Sequence, residues 1–157
     1  MKTISKVTIV ILTFILFLVS CSKPATNTLN NTIPSSNTWI FKGVINTLTT
    51  DTIAGDDMVA SSISNNTLTF YFNNIPTTSG IYNVVSGTNL ISTNQISISI
   101  RNNSGMVTYI SAGTDNVKAN ITVTGGKITV SVPNVILLSP SNSSDTGILS
   151  ANTTQTN

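Results

Sequence analysis

From Thr38 onward, large apolar side chains recur at every second position. Leu68, Phe70 and Phe72 alternate with Thr67, Thr69, Tyr71 and Asn73. Ile96, Ile98 and Ile100 alternate with Gln95, Ser97, Ser99 and Arg101. Val117, Ala119, Ile121 and Val123 alternate with Asn116, Lys118, Asn120 and Thr122, and Ile128, Val130 and Val132 with Thr129 and Ser131. Successive side chains of a strand point to opposite faces, so this period of two predicts strands with one buried and one solvated face. Weaker versions cover 38–46, 58–64, 81–85, 106–111, 135–138 and 148–152. Beyond Val19 no segment carries a helical period, and the abundance of Ile, Val and Thr favours the extended chain.

Turn residues punctuate these segments. Gly125-Gly126 tolerates positive φ at both positions and predicts a tight hairpin between Thr124 and Lys127. Asn65-Asn66, the stretch from Asn102 to Gly105 and the stretch from Ala112 to Asp115 are further turn candidates. Pro76 and Pro133 fall where strands end, since proline lacks the donor a ladder needs. Nine or ten short strands joined in this way predict an all-β domain over 38–152. An antiparallel β-sandwich of immunoglobulin-like kind is the first expectation and an open β-barrel the alternative. Residues 153–157 read as a disordered tail.

The N-terminus follows another pattern. Lys2 and Lys6 precede an uninterrupted run at 7–19, VTIVILTFILFLV. That is short of the roughly 20 apolar residues a membrane-crossing helix needs, and it matches the core of a secretory signal peptide. It ends in Leu18-Val19-Ser20-Cys21, which resembles the lipobox of bacterial lipoproteins. The resemblance implies cleavage after residue 20, a diacylglycerol thioether on the Cys21 sulfur and acylation of the new amine. Residues 21–37, rich in Ser, Thr, Asn and Pro, then form a flexible tether. Ser22 differs from the Asp that resembles an inner-membrane retention signal, which favours the outer membrane of a bacterial envelope over the inner. Trp39-Ile40-Phe41, the run from Ser79 to Tyr82, and the run from Ala112 to Asn116 leading to Gly125-Gly126 are similar to small lipoprotein domains of Bacteroidota. That family implies a β-sandwich and no defined activity.

Charge enters the argument only through its position. The 157-residue chain has a formal net charge of +2, but both excess lysines lie in the leader. After cleavage Lys23, Lys42, Arg101, Lys118 and Lys127 balance Asp51, Asp56, Asp57, Asp115 and Asp145. A neutral surface has no electrostatic claim on nucleic acid or on an anionic leaflet, so the lipid is the expected membrane contact. Ser, Thr and Asn supply 67 of the 157 residues and cover the solvated faces.

Candidate chemistry is sparse. There is no His or Glu, and no hydroxyl lies in a nucleophile motif. The chain therefore reads as non-catalytic. Asp51, Asp56 and Asp57, with Thr52 between them, are the densest oxygen donors and form a candidate Ca²⁺ site. The competing reading of that stretch is a solvated loop. Asp51-Thr52-Ile53 also resembles an O-glycosylation acceptor of some Gram-negative envelopes, with Thr52 modified. Trp39, Phe41, Tyr71, Tyr82 and Tyr109 are the aromatic side chains able to stack on a sugar or to pack across strands. Two function classes follow: a lipid-anchored binding or adhesion module for a glycan or protein ligand, or an assembly subunit acting by strand or face pairing.

Overall fold

The computed structural model describes residues 32–62, 64–87, 92–104, 106–113 and 116–156. The leader, Cys21 and most of the tether lie outside the described residues. Ten strands follow in chain order: β1 (Thr38–Phe41), β2 (Val44–Ala54), β3 (Asp57–Ser62), β4 (Asn66–Phe72), β5 (Gly80–Val84), β6 (Gln95–Asn102), β7 (Val107–Ser111), β8 (Lys118–Thr124), β9 (Lys127–Ser139) and β10 (Asn142–Thr154). The protein is all-β, as the alternating pattern predicts, and among the described residues no helix forms.

All ten strands belong to one hydrogen-bonded sheet, so the ladder does not divide them into two. Neighbours β1 to β4 pair antiparallel in sequence, and β4 pairs with β6. The far edge of β6 is then shared. Its start runs parallel to β5 at Ile96, and its end runs antiparallel to β7 at Ser99–Asn102. Both routes reach β9, one through β8 and one directly from β7. Strand β9 pairs with β10, and β10 pairs with β1. The circuit of pairings therefore returns to its starting strand, which satisfies backbone groups that an open sheet would leave at its edges.

The apolar rows line the inside of this circuit. Trp39, Met58, Leu68, Phe70, Ile98, Ile121, Val130 and Leu149 are fully buried. Burying each such side chain stabilises the fold by about 1.5–3 kcal/mol relative to exposure. The fork in the edge of β6 is filled by Ser111. Its Oγ donates to the Val85 carbonyl at 2.5 Å and accepts the Ile98 N–H at 3.2 Å. One hydroxyl thus serves a donor and an acceptor at the place where β6 changes partner.

Two bulges alter which side chains face inward. On β2, Leu48 pairs with Ser62 but Thr50 with Ser61, so Thr49 is an extra residue. Asn46 and Leu48 face inward before it, and Asp51 does so after it. On β9, Val135 pairs with Leu149 and Val132 with Ala151, so the extra residue falls at Pro133-Asn134. The segments expected separately at 128–132 and 135–138 are therefore one strand of 13 residues. A bulge leaves a residue out of the ladder, which is why proline is tolerated mid-strand.

The C-terminus is bound further along than expected. Thr153 and Thr154 belong to β10, the Gln155 N–H donates to the Ile128 carbonyl at 2.8 Å, and Thr156 is held by Asp51. The expected tail at 153–157 is corrected accordingly: Thr153 and Thr154 are strand residues, and Gln155 and Thr156 are hydrogen-bonded to the folded domain beyond the end of β10.

Candidate functional site

Residues 38–46, expected as one strand, are broken by a two-residue hairpin at Lys42-Gly43. Both residues have positive φ, 50° and 77°, the backbone a tight primed turn requires. The turn brings Phe41 opposite Val44 and places Lys42 over one end of the closed sheet. Here the starts of β2 and β4, the ends of β1 and β6, and β7 surround a cavity of about 250 Å³. Trp39, Phe41, Tyr109 and Ile100 give it apolar walls, and Asn46, Asn66 and Asn102 contribute amides.

The amides are positioned by one another. Asn46 is 2% exposed, and its Oδ1 accepts from Asn66 Nδ2 at 2.9 Å and from Ser62 Oγ at 3.3 Å. Its own Nδ2 donates to the Val44 carbonyl at 3.2 Å. Deeper in, Trp39 is fully buried, and its indole N–H has no hydrogen-bond partner among the described residues. Leaving a buried donor unpaired costs about 1–3 kcal/mol.

A charged cluster stands at the mouth. Lys42 Nζ lies 2.5 Å from Asp145 Oδ1 and donates to Tyr109 Oη at 3.0 Å, while Tyr109 Oη donates to Asp145 Oδ2 at 2.8 Å. The ammonium also sits 4.4 Å from the centre of the Tyr109 ring, a cation–π distance. The Phe41 and Tyr109 rings pack at 4.9 Å between centroids, tilted by 60°. Hydrogen bonds from Lys42 and then Tyr109 hold the Asp145 carboxyl below its ordinary range. The same contacts, with Asp145 first, push Lys42 above its own, so the pair stays charged at neutral pH.

Local backbone irregularities make this cluster. Between Asn142 and Thr146 the β9–β10 register shifts, and Asp145 sits in that irregular segment. Gly147 follows it. A Cβ there would stand 2.6 Å from Phe41 Cε2 and 2.7 Å from Lys42 Cγ, so the bare backbone is what lets the ring and the lysine stem lie against β10.

The residues singled out in the sequence are distributed differently. The candidate Ca²⁺ site is not assembled. Asp51 lies in β2 rather than in a loop and faces inward opposite Ala60, and its carboxylate accepts from the Thr156 N–H at 2.9 Å and from the Thr156 hydroxyl. Asp57 pairs with Ala54 and Tyr71 and belongs to the other face of β3, while Asp56 occupies the Gly55-Asp56 turn. The bulge at Thr49 sets Asp51 on the inner face, so Asp51 and Asp57 cannot point at one ion. Among the described residues no group of three acidic or thiol side chains gathers elsewhere. Burial, and then the neighbouring Asp56, push the Asp57 carboxyl up.

Thr52 is exposed on β2. Cys21 lies outside the described residues. Of the aromatics, Trp39, Phe41 and Tyr109 meet at the cavity, Tyr82 packs edge-on against Phe72 at 6.0 Å, and Tyr71 bonds Ser99 on the outside of the sheet at 3.1 Å. Lys42, Asn46, Asp145 and Gly147 are not singled out by the sequence, and Asn66 is marked there only as a turn residue. Of the first four, only Lys42, in the Lys42-Gly43 pair, carries a local signal, a glycine turn between two apolar pairs.

A second, wider cavity of about 340 Å³ lies at the other end of β4, among the loop residues Asn74 to Ser79 and the start of β5. Its lining mixes hydroxyls and Asn amides with the apolar side chains of Ile75, Pro76 and Ile81, and among the described residues no charged side chain contributes. No family model, curated protein or solved structure matches the chain.

Proposed function

We propose that the chain is a lipid-anchored envelope protein whose β domain is a non-catalytic binding module, with the cavity at the Lys42-Gly43 end as its ligand site. The cavity is the observation that carries this reading. It combines apolar walls, oriented amides and an ion pair at the mouth, the composition by which small ligands are held and oriented. The lysine-flanked apolar leader and Leu18-Val19-Ser20-Cys21 support the anchor, and the Ser-, Thr- and Asn-rich tether supports display of the domain away from the headgroups.

The alternative of assembly by strand donation draws no support from the sheet. The terminal strand β10 is paired on both sides, with β1 and with β9. Intact mass of the protein extracted from membranes tests the anchor. The expected species begins at Cys21 and carries diacylglyceryl and acyl additions; an unmodified Cys21 refutes the anchor. Trp39 is the sole tryptophan and lines the cavity, so its emission reports occupancy. A saturable emission change with a small-molecule library is expected, and a flat response across sugars, carboxylates and short peptides refutes the module.

A further inference from the structure

We infer that a second copy of this chain covers the outer face of β1, β10 and β9, pairing two protomers side by side through a band of aliphatic side chains. The anchor of the proposed reading enters only in setting how the two copies are oriented.

The register places the band. Residues directly opposite each other in a ladder share a face. Trp39 lies inside, opposite Asn46 and Ala151, so Ile40 lies outside, opposite Ile45 and Ser150. Leu149 lies inside opposite Val135, so Ile148 lies outside opposite Ile136. Leu138, two positions beyond Ile136, is outside as well and stands opposite Ile110 of β7. These six side chains follow one another across β2, β1, β10, β9 and β7, five strands that together span about 20 Å. Ile45 is 67% exposed and Ile148 39%, and the other four are half-buried. The outward rows of β4 and β8 are polar by contrast, with Thr67 and Thr69 on one and Asn120 and Thr122 on the other.

Charge points to the occupant. A two-fold contact sets one patch against its own copy, so a charged patch repels itself. The residues interposed in this band are Thr146 and Ser150, and Lys42 and Asp145 neutralise each other at the cavity mouth. Residues 21–157 carry five basic and five acidic side chains, so no net charge holds two copies apart. A bilayer fits less well. Surfaces that rest on headgroups set Lys, Arg, Trp or Tyr beside their apolar residues, and none of these belongs to the band.

The course of the chain supplies the geometry. The segment ahead of the fold enters at the start of β1, where the Pro34 carbonyl accepts from Asn152 Nδ2 at 3.2 Å and Asn37 Oδ1 accepts from the Thr154 N–H at 2.9 Å. The cavity lies at the other end of β1, and the band occupies the flank between them. A two-fold axis along β1 therefore joins the bands with both anchors at one end and both cavities at the other. The contact is of the small, transient class, and anchors that hold the copies in one plane raise its occupancy.

The test uses the full chain in whole cells, with Ile148→Cys as the probe and a short, membrane-permeable bismaleimide as cross-linker. Thr122→Cys, exposed on the outer face of β8, is the control. Cross-linked peptides are identified by mass spectrometry, so products of Cys21 are counted separately. A 148–148 product is expected at about tenfold or more above the 122–122 product. Adding Ile45→Lys at the most exposed position of the band should lower the 148–148 product by about tenfold, because a charge then faces the apolar copy. Equal yields at 148 and 122, or a 148–148 yield untouched by Ile45→Lys, overturn the pairing. So does the absence of a 148–148 product, and protection of that thiol from a water-soluble maleimide would then give the face to a bilayer or another protein. A cross-link through Cys21 refutes the anchor alone and leaves the pairing to be judged by the 148–148 product.

Discussion

Replacing Gly147 by Ala adds one methyl group where Phe41 and Lys42 lie against the backbone of β10. The new Cβ would meet Phe41 Cε2 at 2.6 Å and both Phe41 Cζ and Lys42 Cγ at 2.7 Å. Carbon atoms pack comfortably at about 3.5–4.0 Å, so the ring and the lysine stem must retreat by roughly 1 Å. They have little room to do so. Strand β1 is paired to β10 through Leu149 and to β2 through Val44, and the Tyr109 ring backs Phe41 at 4.9 Å. The ring is driven into the cavity and Lys42 is drawn away from Asp145.

Overpacking of this kind costs about 1–3 kcal/mol. At roughly 4 °C per kcal/mol for a domain of this size, the melting temperature should fall by about 4–12 °C. Gly80→Ala is the internal control. Its Cβ would make an ordinary 3.5 Å contact with Tyr82 Cε2, and its φ is not left-handed. That variant should match the parent or exceed it by about 0.4–1 kcal/mol, through a less flexible unfolded chain. Urea unfolding followed by Trp39 emission measures both. Stability of Gly147→Ala within about 0.5 kcal/mol of the parent would refute the packing argument, because surface-like tolerance is incompatible with those distances.

Three further outcomes are expected. Ser111→Ala strands the Ile98 N–H and the Val85 carbonyl at the fork in β6 and should cost about 1–3 kcal/mol in chemical denaturation; an unchanged midpoint would remove Ser111 from that role. Asp51→Ala releases Thr156 and should cost about 1.5–3 kcal/mol, with faster hydrogen exchange at the Thr156 amide; retained protection there would show that the carboxylate does not hold the terminus. The pH profile should carry two opposed contributions. The native Asp57 carboxyl, pushed up, binds its proton more tightly than the unfolded chain does, so it favours the native state in acid. That contribution is lost as the pH rises through its raised pKa. Asp145, held low, stabilises above the ordinary Asp range, and its contribution is lost as the pH falls through its lowered pKa. Asp57→Asn should therefore raise stability at neutral pH, and Asp145→Asn should remove an acid-side loss; melts across roughly pH 2–7 that leave either variant parallel to the parent would contradict that assignment.

Local chemistry made much of the fold legible in the chain. The alternation at 67–73, 95–101, 117–123 and 128–132 named the strands and their inner faces, because side-chain direction in a strand follows a period of two. The Gly125-Gly126 hairpin was equally local, and both glycines have the positive φ their turn requires. Where irregular residues intervened, the same reasoning failed. The extra residue at Thr49 reverses the face of Asp51, and the bulge at Pro133 joins two segments that proline made look separate. At Lys42-Gly43, apolar residues on both sides concealed a turn inside an apparently continuous strand.

The sequence by itself therefore determined the all-β class, the identity of the buried rows and a composition without the usual acid–base residues. These depend on neighbours within a few positions. The tertiary structure decided which strands pair, that the circuit closes, that Trp39, Lys42, Asn66 and Tyr109 meet around one small cavity, and that Asp145 pairs with Lys42. Lys42 and Asp145 are 103 positions apart and become partners only because β10 returns beside β1. Pairing of that range is set by the register of whole strands, by bulges that shift it and by one glycine that lets an aromatic ring approach the backbone.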